Sequence, residues 1–296
     1  MLASQPDLST LATLAALLEA SASKPGNVTP GRAFRDMSYE DFLVSAVAAG
    51  AELGHAGERS LGETILAAVR ATRRWTRANT NLGIILLLTP LARAAARRAA
   101  LGHADLRKSL AEVLRASTIG DAQAVYLAIR EAAPGGLGAA GEQDVYSEPT
   151  VSLREAMWLA AERDAVAAEY SSNFQLTFEC GVPALRAALE AGLAWCDATV
   201  ETFLALLALR PDTLITRKVG AAAAAEISRQ AAEVLRAGGT RTEAGRGAMA
   251  AFDVDLRDPQ NSRNPGTTAD LTAATLFVVL LEGGWNPDRP RMPRAQ

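Results

Sequence analysis

Along most of the chain, apolar residues recur every three or four positions, the spacing that places them on one face of a helix. Leu11, Leu14, Leu17 and Leu18 form one such stripe, and Leu106, Leu110, Val113 and Leu114 form another. The alternating runs that mark strands are nearly absent. Polar positions announce helix starts as well. Ser60-Leu61-Gly62-Glu63 and Ser152-Leu153-Arg154-Glu155 are capping boxes: the serine accepts from a free backbone N–H and the glutamate reaches back to the serine N–H. Ser38 opens a third helix, with Glu40 and Asp41 favourable in its first turn. The pattern predicts an all-α protein of about ten helices.

Three stretches interrupt it: residues 21–36, a glycine-rich joint at 134–149, and 238–266, where glycines and charges replace the helical pattern. The joint has the composition of a linker. The helices on its two sides look alike, however, which favours a single compact domain over 1–285. Residues 286–296 hold three prolines and three arginines and read as an extended, mobile tail.

Composition agrees with this picture and narrows the chemistry. Roughly a fifth of the 296 residues are alanine, the best helix former. The length supplies a core without disulfide or metal staples. A net charge of −3 argues against a broad nucleic-acid surface while leaving room for a local anion pocket. Two histidines and two cysteines are too few for a His-rich or Cys-rich metal site. Cys180 and Cys196 read as small buried apolar residues, reduced in the cytosol, and His55 and His103 as exposed turn histidines. Trp158, Phe174 and Phe178 read as core. The first residues carry no basic leader, and Asp7 and Glu19 break their apolar run. The apolar stretches 82–92 and 271–281 are each near half the roughly 20 residues of a membrane span. A soluble, cytoplasmic protein is expected, with no membrane partner and with homo-oligomerisation left open.

Candidate chemistry gathers in five polar clusters. Around Ser21-Ala22-Ser23-Lys24-Pro25-Gly26-Asn27-Val28, a forced turn sits among donors suited to phosphate, with Arg32, Arg35 and Asp36 following. Arg77-Ala78-Asn79-Thr80-Asn81-Leu82-Gly83 places amides and a hydroxyl before the apolar run at 84–88, where a helix N-terminus both binds anions and needs a cap. Glu162-Arg163-Asp164 puts two carboxylates in a helical pattern, which is equally the pattern of a solvated face. Asp212 or Thr213 caps a segment carrying Arg217 and Lys218, adjacent cations able to hold a polyphosphate or to stand as surface charges. In Asp255-Leu256-Arg257-Asp258-Pro259-Gln260-Asn261-Ser262-Arg263-Asn264-Pro265-Gly266-Thr267-Thr268-Ala269-Asp270, prolines stiffen a polar loop. There Thr267 and Thr268 cap the run at 271–281, with Asp270 in its first turn. Walker A, dinucleotide-binding and nucleophile-elbow motifs are all missing.

Taken in order, these clusters resemble a known family. Ser-Ala-Ser-Lys-Pro-Gly-Asn-Val followed by Phe-Arg-Asp-Met, then Gly62-Glu63, then Asn79-Thr80-Asn81-Leu82-Gly83, then Asn264-Pro265-Gly266-Thr267-Thr268-Ala269-Asp270-Leu271 are similar to the signatures of triphosphoribosyl-dephospho-CoA synthases. The set spans 20–283. Each motif alone is weak; the ordered series is much more specific. The resemblance implies an all-helical transferase that moves the 5-triphosphoribosyl part of ATP onto the 2′-hydroxyl of 3′-dephospho-CoA. Adenine is released and the anomeric centre inverted. The product is the precursor of a prosthetic group for acyl carrier subunits. Members tied to citrate lyase read Asn-Thr-His-Lys-Gly in the second cluster, whereas Asn81 and Leu82 stand here. That variant looks more like a branch from organisms with methanopterin-linked one-carbon metabolism, where the acceptor need not be dephospho-CoA.

On this reading Lys24, Arg35, Arg217 and Lys218 are expected to hold phosphates. Ser23, Asn79 and Asn81 are expected to position the triphosphate or ribose. Glu63, Asp164 and Asp270 are expected as Mg²⁺ ligands, one of them serving instead as general base. The N-terminal and C-terminal signatures are expected to meet. Two alternatives stand beside it: another ATP-dependent transferase or kinase acting on a pterin-pathway intermediate, and a non-catalytic helical interaction protein.

Overall fold

The computed structural model describes residues 7–101, 105–133 and 141–285. The expectations for His103, for 134–140 of the joint and for the tail at 286–296 lie outside the described residues. Among the described residues the protein has fourteen α-helices, one π-helical segment and no strand, apart from an isolated bridge between Thr29 and Arg32. The all-α expectation is met with more helices than the ten anticipated. The surplus comes from short helices, and from one of fourteen residues inside the glycine-rich stretch at 238–266.

Contacts divide the chain into two compact units. The first comprises Met1–Leu17 and Glu40–Gln175, the second Leu18–Tyr39 and Leu176–Gln296. The division therefore falls at Gln175–Leu176 and not at the glycine-rich joint.

The first unit takes most of α1 (Leu8–Ser21) and α2 (Tyr39–Leu53). It continues through α3 (Leu61–Arg73), α4 (Leu82–Leu101), α5 (Leu106–Arg115), α6 (Ile119–Ala132), α7 (Leu153–Ala160) and α8 (Ala165–Ser172). The capping boxes at Ser60/Glu63 and Ser152/Glu155 form as expected, and α2 starts directly after Ser38. Leu106, Leu110, Val113 and Leu114 are buried. The leucine stripe of α1 is only half-buried; Ala12, Ala15 and Ala16 are buried instead. Small residues win because α1 and α2 pack closely: a Cβ on Gly50 would overlap the Thr13 hydroxyl and lie 3.1 Å from the Ser9 carbonyl. Trp158, expected in the core, is 66% exposed. Phe174 is fully buried, and both cysteines are half-buried rather than buried. His55 lies exposed in a turn, with Nδ1 3.0 Å from Glu58 Oε2.

Helix α4 runs through Pro90, which supplies no N–H to the Leu86 carbonyl one turn earlier. The buried Tyr170 hydroxyl donates to that carbonyl at 2.6 Å, replacing the lost bond with a side chain from α8.

After Leu18–Tyr39, the second unit resumes with the π-helical segment Leu176–Gly181. It continues with α9 (Val182–Glu190), α10 (Trp195–Leu209), α11 (Thr213–Val219), α12 (Ala221–Arg236), α13 (Glu243–Leu256) and α14 (Gly266–Leu281). Its core joins Val200, Phe203, Leu204 and Leu207 of α10 to Ala224, Ile227, Ala231 and Val234 of α12, with Ile215, Phe252, Leu256 and Ala22. Helix α14 is buried on nearly all sides. Its Thr272 and Thr275 hydroxyls donate to carbonyls one turn back, so polar groups enter the core satisfied.

Candidate functional site

In the second unit the N-terminal and C-terminal signatures meet. Asn27 Nδ2 donates to Asn264 Oδ1 at 2.6 Å. Gly26 N–H donates to Asp253 Oδ1 at 2.8 Å, and Arg257, held by the same carboxylate, donates to the Asn27 carbonyl at 2.7 Å. Arg32 forms an ion pair with Asp253. Gly26 is required at its turn, because φ is +75° and a Cβ would lie 2.8 Å from the Leu256 side chain.

Asp212 joins two helix starts. Its Oδ1 accepts from Leu214 N and Ile215 N of α11, and its Oδ2 from Thr268 N and Oγ1 of α14, at 2.7–3.1 Å. Burial pushes its pKa up against the pull of these donors. The flanking Pro265 offers α14 no side-chain cap, so Asp212 supplies one from another helix. Helix α14 begins at Gly266 rather than Leu271. Thr267 and Thr268 are thus inside it, and Asp270 stands beyond its first turn, half-exposed, where it cannot act as an N-cap.

The cations of this unit differ in setting. Lys218 Nζ donates to the Asn261 carbonyl at 3.0 Å. Partial burial lowers its pKa, while Asp258, Asp212 and Asp36 pull it up. Arg217 is half-buried and Arg35 exposed. Lys24 is turned inward, 1% exposed. Its ammonium lies on the Glu19 carbonyl, on the Ala22 carbonyl at 3.2 Å and on Glu19 Oε1 at 2.9 Å. Ser23 is exposed between buried Ala22 and Lys24. The loop ahead of Asn264 is tied by Asp258, which accepts from Gln260 N, Ser262 N and Arg263 N, and by the Arg263–Asp255 ion pair at 3.0 Å.

In the first unit, Asn79 Oδ1 accepts from Leu82 N at 3.3 Å at the start of α4, and Thr80 Oγ1 donates to Ser45 Oγ at 2.6 Å. Asn81 is buried. In the amide orientation that satisfies both ends, it donates to the Thr80 carbonyl and accepts from Ala46 N. Glu63 closes the capping box of α3, and the Ser60 N–H and hydroxyl hold its pKa below the ordinary glutamate value. Asp164 caps α8 through Val166 N and Ala167 N at 2.8 and 3.1 Å. Gly62 serves packing: a Cβ there would lie 2.7 Å from the Asp121 backbone of α6. Among the described residues no three His, Cys, Asp or Glu side chains converge as a metal-binding group. No helix of the described residues is long and apolar enough to cross a membrane.

Sequence reasoning gave no role to Asp253, Arg257, Asn27 or Asn264. Asn27 and Asn264 stood in quoted motifs, yet 237 positions separate them and no local pattern pairs them. Asp253, inside α13, and Arg257, its C-cap, lie at i, i+4 in a stretch whose glycines hid the helix.

A protein of Klebsiella pneumoniae named 2-(5″-triphosphoribosyl)-3′-dephosphocoenzyme-A synthase is 33% identical over 115 residues, 39% of this chain and 40% of its own length. A protein of Stutzerimonas stutzeri, named as a probable synthase of the same kind, is 33% identical over 106 residues, 36% of each chain. The shared stretches thus span well under two thirds of these relatives. A crystal structure from Archaeoglobus fulgidus, provisionally named a triphosphoribosyl-dephospho-CoA synthase, superposes with a TM-score of 0.62 at 29% identity, covering 81% of this chain and 99% of that one. The profile of the CitG family, ATP:dephospho-CoA triphosphoribosyl transferase, matches residues 5–289, and the chain belongs to that family.

Proposed function

We propose that the protein transfers the 5-triphosphoribosyl group of ATP to the 2′-hydroxyl of 3′-dephospho-CoA or a related acceptor, with release of adenine. The observation that carries this reading is the family match over 5–289. The hydrogen bond that ties Asn27 to Asn264, one from each signature segment, is consistent with it.

In this reading Arg35, Arg217 and Lys218 neutralise the triphosphate, and Ser23 donates to it. Asn79 and Asn81, in the first unit, are engaged there, Asn79 with Leu82 N at the start of α4 and Asn81 with the Thr80 carbonyl and Ala46 N. Mg²⁺ is proposed only as the counter-ion that accompanies ATP, since no carboxylate cage is present among the described residues. The bond from ribose C1′ to the adenine nitrogen breaks as a bond to the acceptor oxygen forms on the opposite face. The developing positive charge on the sugar resembles that of glycoside hydrolysis. A carboxylate takes the acceptor's hydroxyl proton, and adenine leaves with a proton from a donor or water. Asp270, on α14 of the same unit as Arg35, Arg217 and Lys218, is proposed as the base, with Glu63 and Asp164 as the alternatives.

The test is incubation with ATP, Mg²⁺ and 3′-dephospho-CoA, followed by mass analysis. Free adenine and an acceptor carrying the added triphosphoribosyl mass are expected. ADP or AMP in place of adenine would replace this reading with phosphoryl chemistry. Asn81-Leu82 in the second cluster gives reason to include reduced-pterin acceptors in the same assay.

A further inference from the structure

We infer that Lys24, the one cation inside the N-terminal signature loop, does not touch the nucleotide but is a positioning residue. It bolts that loop to the end of α1 so that Ser23 alone is presented outward. The inference rests on the proposed ATP chemistry and reassigns a residue within it.

An ammonium has three protons to donate and no acceptor capacity. Lys24 has three acceptors within reach: the Glu19 carbonyl, the Ala22 carbonyl and Glu19 Oε1. Its donors are used up inside the protein. Both partners are buried, with side chains 1% and 4% exposed, so a phosphate would have to displace the pair to reach the ammonium. The carbonyls it takes belong to Glu19, in the last turn of α1, and to Ala22 just beyond it; each also accepts a backbone N–H, and the positive charge complements the dipole of the helix end. The loop beyond it is tied equally firmly, through Gly26 and Asn27 to Asp253, Arg257 and Asn264.

What remains facing out is Ser23. From Ala22 to Thr29 it is the single exposed residue. Neither its hydroxyl nor its backbone N–H has a partner among the described residues. Two adjacent free donors next to a rigid turn suit a phosphate oxygen. The chemistry that a sequence reading gives to the lysine thus passes to its neighbour, and the lysine holds the neighbour in place.

The first test uses the native chain, which has three lysines: Lys24, Lys108 and Lys218. Brief labelling with an amine-reactive reagent, mapped by mass spectrometry, should leave Lys24 unmodified with or without ATP while exposed Lys108 reacts. Lys24 labelled as fast as Lys108 in the free protein, and shielded by ATP, would overturn the assignment.

The second test separates charge from position. Lys24→Met alone strands a buried carboxylate and should lower both the melting temperature and ATP affinity. Glu19→Leu with Lys24→Met removes both charges, as an apolar replacement of a buried pair often can without loss. It should bring ATP affinity back to within about threefold of the native value, under half a decade of Kd. Ser23→Ala should weaken ATP on the order of tenfold in an otherwise native background, the loss of a hydrogen bond to a charged group. A double variant that folds with a native melting temperature yet binds ATP on the order of tenfold or more weakly would show that the ammonium itself meets phosphate. A native protein that fails to bind ATP at all would defeat the functional reading. The labelling result would still decide how Lys24 is used.

Discussion

A single hydroxyl makes the proline in α4 tolerable. Pro90 leaves the Leu86 carbonyl without its helical partner deep in the first unit, and an unsatisfied buried carbonyl costs about 1–3 kcal/mol. Tyr170 meets that cost, and burial keeps its hydroxyl protonated. Tyr170→Phe should therefore lower unfolding free energy by about 1–3 kcal/mol with the ring still packed, measured by denaturant titration. An unchanged midpoint would mean that the carbonyl has another donor. Glu63 gives a residue-scale prediction with a pH sign. Its folded pKa lies below the ordinary glutamate value because the Ser60 N–H and hydroxyl favour the charged form. A depressed carboxylate stabilises above its unfolded pKa, and the contribution is lost as pH falls through the folded value. Glu63→Gln should leave neutral-pH stability nearly unchanged, since glutamine also closes a capping box, and should flatten the acid limb of melting temperature against pH. An equally steep limb in the variant would place the acid sensitivity elsewhere. Asp270 gives the sharpest contrast with these two. It lies inside α14 beyond the first turn, so Asp270→Asn changes charge without removing a cap, and the two residues have similar helix propensity. Turnover should drop on the order of a hundredfold if Asp270 is the base, with a steady melting temperature. Near-native turnover would return the search to Glu63 and Asp164.

At the scale of elements, what could be read from the sequence depended on whether the signal was local. Both serine–glutamate capping boxes and the start after Ser38 were legible because the cap and its partner lie within four residues. The start of α14 was not. Its cap is Asp212, 56 residues before Thr268, so the helix was read as beginning at the first long apolar run. Helix α13 was missed because Gly245 and Gly247 look like breakers. Gly245 is instead demanded by contact, since a Cβ there would overlap the backbone of Gly238 and Gly239. Of the candidate site, the two signature segments were legible as motifs, but the Asp253–Arg257 clamp that holds one of them was invisible without α13. Asp212 turns this into a prediction. One carboxylate serves two helix starts, and each cap is worth about 0.5–2 kcal/mol, so Asp212→Ala should cost about 1–4 kcal/mol. Amide exchange should quicken in the first turns of both α11 and α14. Exchange that quickens in α11 alone would show that α14 does not depend on this cap.

At the scale of the whole molecule, the composition of the glycine-rich joint marks where a chain can bend, whereas contacts divide the chain elsewhere. The division at Gln175–Leu176 follows Asn173 and Phe174, at φ +54° and +59°, and precedes a π-helical segment. Neither residue is glycine, so nothing in the local sequence flagged the left-handed pair. The assignment of Leu18–Tyr39 to the second unit was likewise illegible, since it rests on pairings across more than two hundred positions. Ala22 sits in that unit's core, Gly26 lies against Leu256 and Asp253, and Asn27 is tied to Asn264. A fragment of residues 176–285 alone would lack all of these and would expose the core face beneath Ala22. It should show helical circular dichroism without a cooperative melting transition, the behaviour of collapsed helices whose packing is incomplete. Fusing residues 18–39 ahead of it through a flexible glycine–serine linker restores Ala22, Gly26 and Asn27 to the same chain at the cost of one loop closure, which grows only slowly with length. The fused fragment should melt cooperatively, and Asn27→Ala within it should lower the midpoint. Cooperative melting of 176–285 alone at the same temperature would show that the N-terminal signature decorates the second unit without being part of its fold.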